Sequence, residues 1–143
     1  MHAPALKSAA LLLGQGETLC VAPQNLYEFW VVCTRPAGEN GLGRSIAEAQ
    51  AELARLRSML KVLDDTSAIL PLWETLVVKY QVAGKCAHDT RLVAAMIENT
   101  VGRILTFNTS DFRCYQEIEA VAPDDIIKSA ATIESKQSGT EHP

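Results

Sequence analysis

No apolar run in the sequence approaches the ~18 residues that a membrane-spanning helix requires, so no membrane association is expected. The N-terminus lacks a basic segment followed by a continuous apolar stretch and a small-residue cleavage site, which argues against secretion. The four cysteines, Cys20, Cys33, Cys86 and Cys114, form no C-x-x-C pair, which speaks against zinc. Flanked by apolar residues, they are expected to pack as small hydrophobes in a reducing cytoplasm. Histidine is scarce, with three residues, and none is placed to share a metal with His88. There is neither a G-x-G-x-x-G nor a Walker pattern, so nothing indicates a nucleotide cofactor. Basic charge is also lacking: the net charge is −4 and the pI about 5.3. That excludes a protein that coats nucleic acid but not one that cuts it. A metal site needs acidic ligands, and a divalent ion reverses the field around them.

What remains is a globular composition. The chain has 143 residues, 48% hydrophobic and 21% charged, enough for one domain with a core. Leu6, Ala9, Ala10 and Leu13 recur at helical spacing and predict a helix over 4–15, ended by Gly14 and Gly16. Residues 18–22 read as a short buried strand. Pro23 suits the first position of a helix running to Thr34, before Arg35-Pro36. A glycine-rich loop, 36–44, leads to Ser45-Ile46-Ala47-Glu48, a capping box that opens a helix to about Lys61. Val62-Leu63 is a very short strand, and Thr66 is placed to cap a helix through Tyr80 with Pro71 early in it. Gly84 marks a turn, and His88 to about Thr100 is a helix ended by Gly102. A strand over 103–107, a turn over 108–112 and a last strand over 118–122, closed by Pro123, follow. The fold class is α/β, a parallel sheet flanked by helices. From Lys128 onward large apolar groups are few, which predicts a domain over 4–127 and a disordered polar tail over 128–143.

Few residues stand out as chemistry. Glu28 sits in the apolar run Leu26-Tyr27-Glu28-Phe29-Trp30-Val31-Val32. Burying it unpaired would cost on the order of several kcal/mol, so it is either a site residue or part of a narrow solvated stripe with Asn25 and Arg35. Asp89 opens a helix, where the helix dipole favours a carboxylate whatever its role. Asp111 follows a strand and reads equally as a turn residue. Asn108 is an Asx-turn residue or a neutral oxygen ligand. Asp64 and Asp65 read as helix caps, and Asp124 and Asp125 as a solvated terminus. Asn108 and Asp111 fall just past a strand end, where sites lie in open α/β sheets. Taken together, carboxylates from several elements suit Mg²⁺ or Mn²⁺, which could activate water and stabilise a phosphodiester leaving group.

Three stretches resemble the PIN-domain family in order and spacing, over roughly residues 4–124: Ala22-Pro23-Gln24-Asn25-Leu26-Tyr27-Glu28-Phe29-Trp30; Gly84-Lys85-Cys86-Ala87-His88-Asp89-Thr90-Arg91-Leu92-Val93-Ala94-Ala95-Met96; and Ile104-Leu105-Thr106-Phe107-Asn108-Thr109-Ser110-Asp111-Phe112. They look like the bacterial VapC-type branch. The resemblance implies a three-layer fold and a Mg²⁺- or Mn²⁺-dependent endoribonuclease acting on RNA in the cytoplasm. It also implies inhibition by a cognate antitoxin protein and, as is common in the family, a homodimer. Its acidic cluster maps onto Glu28, Asp89, and Asn108 or Asp111, which should converge to hold the metal. Lys85, Arg91 and Arg113 lie near these motifs and are candidates to contact phosphates.

The family's first motif, a central strand ending in Asp, has no counterpart, and residues 1–16 contain no Asp. The sequence therefore reads as an N-terminally truncated PIN domain, with a gap between the strands at 18–22 and 103–107. Stability and catalysis should both suffer. The alternative to a nuclease is an inactive PIN remnant that acts only as a protein-binding module. A nucleotide-binding signalling domain suits the sheet but not the missing phosphate loop.

Overall fold

Pro23 starts the helix that carries Glu28, and the reason is local. Proline at the first helical position gives up an N–H that would have had no partner there. The Asn25 side chain accepts a hydrogen bond from the Ala22 N–H at 2.9 Å. This helix, α2 (Pro23–Thr34), ends at Arg35, whose extended backbone (ψ 139°) is what a following proline demands. The computed structural model describes residues 3–138, which divide into two compact units, Leu19–Thr100 and the segments 3–18 with 101–138.

In the unit Leu19–Thr100, β1 (Cys20–Val21) precedes α2 and pairs in parallel with β2 (Lys61–Val62), Cys20 opposite Lys61 and Val21 opposite Val62. Between them, α3 (Ile46–Met59) opens on the expected capping box. The Glu48 N–H donates to Ser45 Oγ at 3.2 Å, and the Ser45 N–H to Glu48 Oε2 at 2.8 Å. In the loop before it, a methyl group at Gly41 would press into the Arg35 backbone, which explains the glycine there. Two helices complete the unit, α4 (Ile69–Lys79) and α5 (Cys86–Glu98), packed on each other. In α5, Val93, Ala94, Ala95 and Met96 are all buried, consecutive residues that cover every side of the helix. A helix buried all round is a core helix. Its first turn, which carries Asp89, reaches the surface, with Cys86 and His88 exposed.

In the other unit, α1 (Ala3–Gly14) packs against α6 (Pro123–Ser138). There β3 (Arg103–Leu105) pairs in parallel with β4 (Glu119–Val121), Ile104 opposite Ala120. A 3-10 turn over Thr109–Asp111 follows β3.

Several sequence expectations are corrected. The strands form two separate two-stranded parallel sheets rather than one sheet, and among the described residues neither β1 nor β3 has a second strand partner. The strands are also shorter than expected. Helix α4 starts at Ile69, not after Thr66, which contributes only its carbonyl to the Ile69 N–H. Pro71 fits as the third helical residue because first-turn N–H groups have no partner within the helix. Helix α5 begins two residues before His88, after the left-handed turn at Gly84 (φ +63°). The helix expected over 4–15 is α1, in which Leu6 and Leu13 are exposed and Ser8 is buried. Its hydroxyl is satisfied by the Ala5 carbonyl at 3.0 Å, so a small polar residue is tolerated in an interior position. Residues 128–138, expected as a disordered tail, lie in α6, where Ala130 is buried. Pro123 opens that helix instead of closing a strand, and residues 139–143 fall outside the described region. Cys33 is buried and Cys20 half-buried as expected of small hydrophobes, whereas Cys86 and Cys114 are exposed. No described helix is long and apolar enough to cross a membrane.

Candidate functional site

Glu28 projects from α2 one turn after Gln24, and the Gln24 amide ties it to the first turn of α5. Gln24 Nε2 donates to Glu28 Oε1 at 3.2 Å and to the carbonyl of His88 at 3.0 Å. Glu28 is exposed rather than buried, so it carries no desolvation penalty of the kind its apolar neighbours suggested. His88 is also exposed and contributes its backbone to this network. Asp89, the next residue, is half-buried in the first turn of α5, where the unpaired N–H groups of the helix favour a negative charge. Within this unit, then, a glutamine links the Glu28 carboxylate to the backbone of His88, the residue before Asp89.

The bridge is itself held. Arg91 Nη1 donates to Gln24 Oε1 at 3.3 Å, and Arg91 Nη2 donates to both oxygens of Asp65 at 2.8 Å. Asp65 is therefore an ion-pair partner and not a helix cap. Arg91, expected as a phosphate contact, spends its charge largely on Asp65. Gln24 was not singled out from the sequence, and Asp65 only as a helix cap. Gln24 had a local signal, because four residues separate it from Glu28 and such pairs share a helix face. Asp65 had none, being 26 residues from Arg91 along the chain.

Asn108 and Asp111 lie in the other unit, immediately beyond the carboxyl end of β3. Both are exposed. The Asn108 N–H donates to Thr106 Oγ1 at 3.1 Å, and the Asp111 N–H to the Asn108 carbonyl at 3.1 Å. Arg113 donates to Thr109 Oγ1 at 3.3 Å.

Comparison of the sequence with known protein families finds no match, and neither does comparison with curated proteins. A solved structure is similar: a chain of VapBC-1 from nontypeable Haemophilus influenzae. The TM-score is 0.62 at 13% identity, over 82% of this chain and 86% of that one. The two share a fold.

Among the described residues, no three His, Cys, Asp or Glu side chains gather as a metal-binding group. Mg²⁺ asks for less. It commonly takes one or two carboxylates and completes its octahedron with water and substrate phosphates. Glu28 and Asp89 are hard oxygen donors of the kind that suits it.

Proposed function

We propose that this chain is a VapC-type protein of the PIN-domain group, an endoribonuclease dependent on Mg²⁺ or Mn²⁺ and restrained by a cognate antitoxin. The observation that carries this reading is the fold shared with a chain of VapBC-1. The motif residues around Glu28, Asp89 and Asn108-Thr109-Ser110-Asp111 support it. In this reading RNA is the substrate, the cytoplasm the compartment and a homodimer the working form.

Glu28, Asp89, Asn108 and Asp111 are the proposed ligands. When bound, the cation supplies activation of water and neutralises charge building on the phosphodiester. The rest falls to the protein. Gln24 fixes the direction of Glu28 by holding one of its oxygens. The N-terminus of α5 favours a negative charge at Asp89. Lys85, exposed just before α5, is available to an incoming phosphate.

The direct experiment incubates the purified chain with single-stranded RNA and Mn²⁺, with and without a chelator. Cleavage that the chelator abolishes is expected. A second reading, a module that binds a protein partner without chemistry, is favoured by the absence of a three-donor cage among the described residues. RNA left intact, together with a stable complex with the antitoxin encoded beside the gene, would replace the first reading with the second.

A further inference from the structure

We infer that the cleft beside Arg91 is a binding site for a single nucleobase, with a preference for guanine; the inference rests on the reading of this chain as an RNA-binding enzyme. The cleft lies within the unit Leu19–Thr100 and has a volume of about 360 Å³. That is within the range of about 300–1,000 Å³ typical of small-ligand pockets. Six residues line it: Asp65, Thr66, Ile69, Leu70, Trp73 and Arg91.

The lining selects the ligand by exclusion. Ile69, Leu70 and Trp73 form an apolar wall on α4, and Leu70 is 61% exposed although it is a large hydrophobe. The indole of Trp73 is fixed, because its Nε1 donates to the Ala87 carbonyl at 2.8 Å. With its polar end already satisfied, the ring offers a surface of set orientation for stacking. The Arg91–Asp65 ion pair, 35% exposed on each side chain, lines the cleft as well. A purely aliphatic ligand would desolvate that pair without return. A free phosphate would meet the Asp65 carboxylate, and a simple cation would meet Arg91. A flat, neutral ring with both donors and an acceptor on one edge answers both charges.

Guanine fits this edge best. It presents adjacent N1–H and N2–H donors, which a carboxylate can accept, beside the O6 acceptor, which an arginine can serve. An ionised carboxylate has about four acceptor positions, and Arg91 occupies one on each Asp65 oxygen. Uracil presents one N–H between two carbonyls and so brings an acceptor against Asp65. The cleft is also wired to the proposed reaction centre, since the same Arg91 holds Gln24, and Gln24 holds Glu28. A base seated here would place its own strand beside the Glu28 neighbourhood.

The test follows Trp73 by fluorescence in the full-length chain with Trp30→Phe, and in parallel by the Trp73 indole N–H resonance of the unaltered chain. The probes are guanosine monophosphate, uridine monophosphate, ribose 5-phosphate, inorganic phosphate and a short guanine-containing DNA strand that resists RNA cleavage. Saturable quenching by the guanine nucleotide is expected, at least about tenfold tighter than by the uridine nucleotide, with no response to ribose phosphate or phosphate. Tighter binding of the strand than of the mononucleotide would mark a polynucleotide subsite, and equal binding a free-nucleotide site. Either supports the base assignment. Asp65→Asn should cut guanine binding about tenfold and leave uridine binding unchanged. Equal responses to phosphate and nucleotide, or no response of Trp73 to either nucleotide, would overturn the proposal. Trp73 is read without any cleavage step. Base binding without RNA cleavage would thus refute the nuclease reading alone, and cleavage without base binding would refute the cleft alone.

Discussion

Arg91 meets Asp65 through one nitrogen: Nη2 lies 2.8 Å from both carboxylate oxygens, while Nη1 turns away to Gln24. The guanidinium thus serves as a corner piece rather than as a two-pronged clamp on the carboxylate. One arm neutralises charge, and the other sets the glutamine that holds Glu28. Because each side chain of the pair is about a third exposed, water and salt weaken the attraction.

A double-mutant cycle with Arg91→Gln and Asp65→Asn should therefore give a coupling of about 0.5–1 kcal/mol at low ionic strength. It should shrink towards zero in molar salt. The readout is urea denaturation of the four variants. Additive effects at low salt would mean that the contact is not formed in solution.

The Ser45–Glu48 capping box sets a pH dependence. The Ser45 N–H holds the Glu48 carboxyl below its ordinary value of 4.5, aided by the Ser45 hydroxyl and Arg44 against a small opposing effect of desolvation. A carboxyl whose pKa falls on folding stabilises the native state above its unfolded pKa. That contribution disappears as the pH drops through the folded pKa. Ser45→Ala removes the hydroxyl half of the box and should cost about 1 kcal/mol at neutral pH. The gap between the melting temperatures of wild type and Ser45→Ala should narrow as the pH falls below 4.5. A gap that widens in acid would contradict the assignment.

Helix α6 is expected to behave as structure and not as tail. Ser8 on α1 is fully buried, and Ala130 on α6 is nearly so, in two helices that pack together. Small side chains permit such a close approach. Ser8→Leu should overpack the contact and destabilise by about 1–3 kcal/mol. Amides from Ile126 to Ala131 should be protected from hydrogen exchange in the wild type and lose protection in Ser8→Leu. Free exchange of these amides in the wild type would show that the helix does not form.

How much of this was legible in the sequence depended on whether the signal was local. The capping box at Ser45 and the start of α2 at Pro23 were readable because each is decided within one or two helical turns. Spacing showed that α1 is a helix but not which face it buries, because that face is set by α6, more than a hundred residues away. The tail from Lys128 was misread for the same reason, since its few apolar groups, such as Ala130, need α1 to make a helix worth forming. At the candidate site, Glu28 and Asp89 carried motif signals. Asp65, Arg91 and Gln24 form a network whose partners are dozens of residues apart, and no pattern in the sequence announces it.

Asp89 separates the two roles that a first-turn acid can play. At the N-terminus of α5 it interacts with the helix dipole, a structural contribution of about 0.3–1 kcal/mol that any first-turn carboxylate would make. Asp124 holds a comparable place in the first turn of α6 and has no proposed part in chemistry. Asp89→Asn and Asp124→Asn should therefore lower stability by similar, small amounts. Their effects on Mn²⁺-dependent RNA cleavage should differ. Asn keeps the size of the side chain but removes the charge, and losing one electrostatic contributor at a reaction centre typically costs about 100-fold or more in rate. Cleavage should drop by that scale in Asp89→Asn and remain at the wild-type level in Asp124→Asn. Melting curves establish that both variants are folded, and cleavage of labelled RNA under saturating Mn²⁺ gives the rates. Equal rates in the two variants would reduce Asp89 to a helix-capping charge and remove it from the proposed site.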